Sequence, residues 1–382
     1  MSTFEPARRL RGVQVSPIRH FFDGAPPGSI NLGLGEPDFP TPEVICREAS
    51  RVVLEEHNPY TMHAGLPALR QKVAAGYPFL ENRAERVLIT AGSQEALFLS
   101  LMSLVNEGDE VLLPDPGFVA YPAIVRMAGG TPTYYRLPAS TNFGFDAEDF
   151  SRKLTPKTKV VVSISPSNPT GRALSAEDMN SMAGALDGHS AYLISDEIYR
   201  DLYFGEERPG TISDRYSRTL VIGGLSKSLS MTGWRLGWLC ASEEVINAAR
   251  LLHGYVVTCA STVSQKAALV AWGNEAQAAQ CRMRETLRRR RDFLLQLVAE
   301  ELGLRCVVPD GAFYCMMDVR ACGPSWQVAE AILKGGVITV PGVAFGPGGE
   351  GFLRLSFSAD LPILREGVER MRAVLASFQP TN

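Results

Sequence analysis

The chain has 382 residues, 45% hydrophobic and 21% charged, with a formal net charge of −3. That length exceeds what one core usually organises, so two domains are expected, and the composition excludes a disordered chain. The near-neutral balance gives no electrostatic reason to expect nucleic acid or an anionic membrane, and no run of about 18 apolar residues could span a bilayer. The opening residues carry Arg8, Arg9 and Arg11 with no apolar segment behind them, so no secretory signal is expected. Seven scattered cysteines without a CxxC pair predict reduced thiols and a cytoplasmic protein. The five histidines make no metal-ligand spacing, so no metal site is expected.

In chain order, the first 42 residues are rich in Gly and Pro and too short to fold alone; they are expected to pack against other parts. Residues 86–90 predict a buried strand, 94–105 a helix, and 110–114 the next strand. Further strands are predicted at 160–164, 191–195, 219–222 and 237–241. Their continuous rather than alternating apolar runs suit strands covered on both faces, hence a mainly parallel sheet flanked by helices. A helix-compatible stretch over 276–303 contains Arg288-Arg289-Arg290-Arg291, read as a solvated face rather than a basic binding patch. Strands near 313–317 and 352–358 then give a shorter α+β pattern. The expected organisation is a large unit over 43–277, a small C-terminal unit over 278–382, and the segment 1–42 packed with the small unit.

Four stretches carry candidate chemistry, each at or just beyond a predicted strand end, where open α/β sheets gather ligands. Gly223-Gly224-Leu225-Ser226-Lys227 places a lysine after a glycine turn. Such a lysine is ordinarily a surface residue. A P-loop is excluded, because Ser226 and Val221 stand where that motif needs glycine. Arg235, eight residues on, is a second cation that would lower the amine's pKa and make it a better nucleophile toward an aldehyde. Asp196, ending a strongly apolar strand, would either cap the next element or hold a protonated ring nitrogen. Asn168-Pro169-Thr170-Gly171 is by itself a good turn. The small residues of Thr90-Ala91-Gly92-Ser93-Gln94 open a helix whose free N–H groups suit a phosphate.

Taken together and in order, these stretches resemble the class I/II aminotransferases, the fold-type I pyridoxal-phosphate family, over nearly the whole chain. Asn31-Leu32-Gly33-Leu34-Gly35-Glu36-Pro37-Asp38, Tyr60 through Gly65-Leu66-Pro67, and Gly92-Ser93-Gln94 come first. Asp115-Pro116-Gly117-Phe118 with Tyr121, the Asn168 turn, Asp196-Glu197-Ile198-Tyr199, Ser226-Lys227, Arg235 and Arg354-Leu355-Ser356 follow. The resemblance implies an α/β enzyme with a smaller α+β domain that binds pyridoxal 5'-phosphate. It would move an amino group from an L-amino acid to a 2-oxo acid in a ping-pong cycle between pyridoxal and pyridoxamine forms. Lys227 would be the Schiff-base lysine and proton shuttle, and Asp196 the partner of the pyridinium nitrogen. Asn168 and Tyr199 would bond the ring's phenolic oxygen, and Phe118 would stack on the ring. Ser93, the Gln94 amide and Arg235 would bind the phosphate. Arg354 would take the substrate α-carboxylate under the loop at Gly35. Tyr60 would reach the phosphate of a partner subunit in a homodimer.

Two departures stand out. Many relatives place a serine three residues before the lysine, where this chain has Gly224; Ser226 is the candidate substitute. Gln94 occupies a position often held by lysine in aspartate-using relatives, and Ile18 is apolar, which tilts expectation toward neutral or apolar amino acids. The nearest enzymic rival is a β-eliminating C–S lyase on the same scaffold, which these residues do not separate. A regulator carrying this domain behind a DNA-binding one is disfavoured, since only about 40 residues precede the core.

Overall fold

The strands of the protein, in a computed structural model that describes residues 5, 7–13, 15 and 17–378, are β1 (Ile30–Asn31), β2 (Val87–Thr90), β3 (Glu110–Asp115), β4 (Thr131–Arg136), β5 (Thr158–Ile164), β6 (Tyr192–Asp196), β7 (Thr219–Gly224), β8 (Gly237–Cys240), β9 (Cys306–Val307), β10 (Tyr314–Asp318), β11 (Val337–Ile338), β12 (Val340–Pro341) and β13 (Phe352–Ser356). Seven of them form the large sheet in the order β2-β8-β7-β6-β5-β3-β4. The pairings β7–β6, β6–β5, β5–β3 and β3–β4 are parallel, whereas β8 runs antiparallel to both its neighbours, β2 and β7. The sheet is therefore mainly parallel with one reversed strand. Val160-Val161-Val162 at its centre is fully buried, as expected for β-branched residues covered on both faces. Because β8 reverses direction between β7 and β2, the C-terminal ends of β2, β3, β5, β6 and β7 all lie along one edge of the sheet.

The ends of segments 1–42 and 278–382 fall partly outside the described residues. Within them, β12, β13, β10 and β9 form a second, antiparallel sheet. β1 pairs in parallel with β11. Beyond it, Leu32 N donates to Ile338 O at 3.0 Å and Leu32 O accepts from Ser356 N at 2.7 Å. The N-terminal strand thus lies against the strand that carries Arg354. No helix among the described residues is long and apolar enough to cross a membrane.

The arginine run corrects its sequence reading. It lies in the helix Asn274–Leu302, and of its four members only Arg289 is exposed. Met283, Leu287, Arg290 and Leu294 are spaced by four, three and four residues, so they share the buried face. Arg290 is turned inward with them. Its charge is met by Asp38 at 2.8 Å and by Asp360, and its guanidinium stacks 4.8 Å from the Phe39 ring. Replacing Arg290 with alanine is expected to destabilise the fold by about 3 kcal/mol, the low end for breaking a buried ion pair, because both carboxylates keep contact with water. A lowered thermal midpoint checks this, and an unchanged midpoint returns Arg290 to the solvated face.

Candidate active site

A cleft of about 560 Å³ opens at the C-terminal edge of the large sheet. Gly35, Ser93, Gln94, Phe118, Asn168, Asp196, Tyr199, Lys227, Arg235 and Arg354 all line it. Tyr60 does not; it stands 83% exposed on the surface. Most of these groups arrive from strand ends of the large sheet. Ser93 and Gln94 follow β2, Phe118 follows β3, Asn168 follows β5, Asp196 ends β6, and Lys227 follows β7. Arg354 comes from the middle of β13, opposite Val340 on one side and Met316 on the other.

Lys227 Nζ donates to Gly35 O at 2.7 Å. Burial pulls its ammonium down to about 8; Glu36 and Asp196 oppose that shift, and Arg235 and Arg354 add to it. The cation effect expected from Arg235 is therefore present but secondary to desolvation. Acylation of the cofactor-free protein with a small anhydride across a pH series, followed by peptide mapping, should give Lys227 a midpoint near pH 8. Its labelling rises with pH, since the neutral amine is the nucleophile. A midpoint at the ordinary lysine value of 10.5 would mean that the amine is solvated.

Asp196 is buried, and burial pushes its carboxyl up to about 6 against the bonds that favour its ionised form. Tyr121 Oη donates to Oδ2 at 2.9 Å and the Ile198 N–H donates to Oδ1 at 3.2 Å. The capping bond weighed from sequence is thus present, yet it occupies one oxygen only. Arg354 is likewise buried, which lowers its pKa. Its guanidinium donates to Asn168 Oδ1 at 2.8 Å and to Gly33 O at 2.5 Å, while Nε has no acceptor among the described residues. The ring of Tyr314 lies 4.4 Å and that of Phe345 4.8 Å from its guanidinium carbon. The Tyr199 and Tyr314 hydroxyls are 3.0 Å apart.

The anion-binding turn needs its glycine. Gly92 has φ of 93°, and a Cβ there would meet Arg235 Nη2 at 2.7 Å. Without it, the guanidinium closes on the first turn of the helix Ser93–Leu104, whose leading N–H groups have no intrahelical acceptor. Gly224, which stands where a serine was expected, is packed: a Cβ would lie 3.1 Å from Ile198 Cδ1 and from Leu236 O. Ser226, by contrast, lines the cleft. Sequence reasoning assigned no role to Tyr121 or Tyr314. Tyr121 carried a signal, its place three residues after Phe118 in the motif series; Tyr314 carried none beyond its place in a predicted strand.

A mainly parallel sheet with a smaller antiparallel unit, and a lysine, a carboxylate and an arginine converging at its strand ends, define a fold-type I pyridoxal-phosphate enzyme. The family described as aminotransferase class I and II matches residues 27–371, and the chain belongs to it. It is 38% identical over 354 residues to the aspartate/prephenate aminotransferase of Thermus thermophilus, covering 91% of each chain. It is 34% identical over 380 residues to aromatic-amino-acid aminotransferase 2 of Thermococcus litoralis, covering 96% of this chain and 97% of the other. Among solved structures, the aspartate aminotransferase of Thermus thermophilus with maleate superposes with a TM-score of 0.90 at 33% identity, over 97% of this chain and 100% of that one.

The donor set fits the family's cofactor, pyridoxal 5'-phosphate. A buried carboxylate whose charge burial disfavours calls for a cationic ring nitrogen. A helix N-terminus beside Arg235 suits a phosphate. An amine with a lowered pKa suits an aldehyde.

Proposed function

We propose that the protein transfers the amino group of an L-amino acid to a 2-oxo acid, holding pyridoxal 5'-phosphate in this cleft and working by a ping-pong cycle. When bound, the cofactor supplies an aldehyde that takes the amino group and a ring that accepts the electron pair released at Cα. Lys227 Nζ would hold the cofactor's aldehyde carbon and, once freed by the substrate amine, would take the proton from substrate Cα and pass it to that same cofactor carbon. Asp196 holds the ring nitrogen in its protonated form. Asn168 Oδ1 is already engaged by Arg354, so its Nδ2 is the group free to donate to the ring's phenolic oxygen, together with Tyr199. Phe118 covers the ring face. Ser93, the Gln94 amide and Arg235 hold the phosphate, with Ser226 in reach of the same end. Residues 43–277 form the cofactor-holding unit in this reading, and 1–42 with 278–382 the unit that supplies Arg354, a reading supported by the β1–β11 pairing. Tyr60, exposed in a single chain, then serves a partner's phosphate in a cytoplasmic homodimer.

The observation that carries the reading is Arg354. A buried guanidinium that lines the cleft of Lys227, pinned by two protein acceptors while it keeps N–H groups without one, asks for an acceptor from outside. A carboxylate answers it with a bidentate pair. Ile18, Phe22, Leu34 and Val119 line the same cleft, together with Arg19, and neutral, apolar or aromatic side chains are the class this reading favours. Scanning a panel of amino acids for conversion of the bound aldehyde form to the amine form tests both points. Pyruvate released from L-cystathionine without an oxo acid would instead favour the eliminating lyase. Arg354→Lys is expected to lower kcat/KM for amino acids about 100-fold, through both KM and kcat, with cofactor binding intact, because lysine cannot reproduce the fork. Parent-like kinetics on every accepted amino acid would remove Arg354 from the site.

A further inference from the structure

The turn between β2 and the helix Ser93–Leu104 is held from behind by two side chains for which amino transfer has no direct use. Glu95 Oε2 accepts the Ala91 N–H at 2.5 Å, and Glu95 Oε1 lies 3.0 Å from His253 Nδ1. His253 is 0% exposed, and its Nε2 has no partner among the described residues. A carboxylate only accepts, so Nδ1 carries a proton toward Glu95, while Nε2 is left without a partner in the core. On the cleft side, Ala91 O accepts from Arg235 at 3.4 Å, and Thr90 Oγ1 donates to Gly92 O at 2.9 Å. Both peptide groups of Ala91 are therefore fixed, immediately before the residues proposed to meet the phosphate.

A buried imidazole with one nitrogen unsatisfied costs free energy, so general stabilisation is a poor account of this pair. We infer that Glu95 and His253 are positioning residues for the anion-binding turn. His253 orients the Glu95 carboxylate, Glu95 holds the Ala91 N–H, and the turn then presents Ser93 and the Gln94 amide in one geometry. The inference rests on the reading of this cleft as a cofactor-phosphate cradle. Charge cannot be what Glu95 contributes, since a carboxylate repels phosphate and its removal would then tighten binding. Its contribution is the shape of the turn. Glutamine keeps an acceptor for Ala91 and should preserve that shape; alanine should not.

The test compares dissociation constants for pyridoxal 5'-phosphate and for pyridoxal, which lacks the phosphate, in the full-length protein. Glu95→Ala is expected to weaken pyridoxal 5'-phosphate about tenfold, the worth of one good hydrogen bond, and to leave pyridoxal unchanged. Glu95→Gln should stay within about threefold of the parent and His253→Phe should lose about threefold, for the phosphorylated ligand only. The ³¹P resonance of the bound phosphate should shift in Glu95→Ala and return in Glu95→Gln. Equal losses for both ligands, or a Glu95→Ala protein with parental affinity for pyridoxal 5'-phosphate, would overturn the inference while leaving the cradle in place. A parent that binds pyridoxal as tightly as its phosphate would overturn the cradle itself, and the inference with it. Should Glu95→Ala fail to fold, His253→Phe carries the same comparison.

Discussion

Lys227→Ala is expected to keep its cofactor and lose amino transfer by a factor of about 10⁴, the upper range for removing a positioned general base. The residue combines two properties that no other described lysine is positioned to supply. Its amine lies in the cleft on the Gly35 carbonyl, and burial brings it down to about 8, so that far more of it is neutral near physiological pH than of an ordinary lysine. Removing it deletes the base that moves the Cα proton but leaves Asp196, Arg235 and the helix N-terminus to hold a ring and a phosphate. The variant should therefore bind pyridoxal 5'-phosphate non-covalently, take up amino acid slowly, and stall before the proton moves. Stopped-flow spectra of the half-reaction separate these stages, and an added small primary amine should restore part of the rate. In the parent, borohydride reduction should fix the cofactor to the peptide containing Lys227. Mapping of the adduct to any other lysine removes the central assignment.

What was legible in the sequence were the features written locally. The buried strands announced themselves as unbroken apolar runs because β5, β6 and β7 are covered on both faces. Lys227, Asp196 and Asn168 stood out as candidates because each sits at the end of such a run or a few residues beyond it. β4 was not, since this edge strand is half-exposed and its Thr-Pro-Thr-Tyr-Tyr-Arg pattern has no continuous apolar stretch. The reversal of β8 was equally hidden, because direction is set by connections and not by composition. Long-range partners lay furthest out of reach. Arg290 looked solvated because its companions Asp38 and Asp360 are 252 and 70 residues away. For the same reason nothing local linked Glu95 to His253, 158 residues apart.

Asp196→Asn is expected to retain the fold and the cofactor and to lose about 10²–10³-fold in amino transfer, the cost of deleting a charge-matched hydrogen bond in a dry site. The fold should survive because asparagine keeps an oxygen for the Ile198 N–H, and its amide can face the Tyr121 hydroxyl that now donates to Oδ2. The loss arises at the ring nitrogen, where a neutral amide does not keep a proton in place as a carboxylate does. A pH series separates this from a purely capping role. Burial raises the carboxyl to about 6, so it is ionised above that value and protonated below. A cationic ring nitrogen beside it favours the ionised form and moves the midpoint down. The parent rate should accordingly fall on the acid side, at or below about pH 6, and the asparagine variant, having nothing there to protonate, should lack that limb. A variant with parental turnover and the parental acid limb would leave Asp196 as nothing more than the cap of the turn that follows β6.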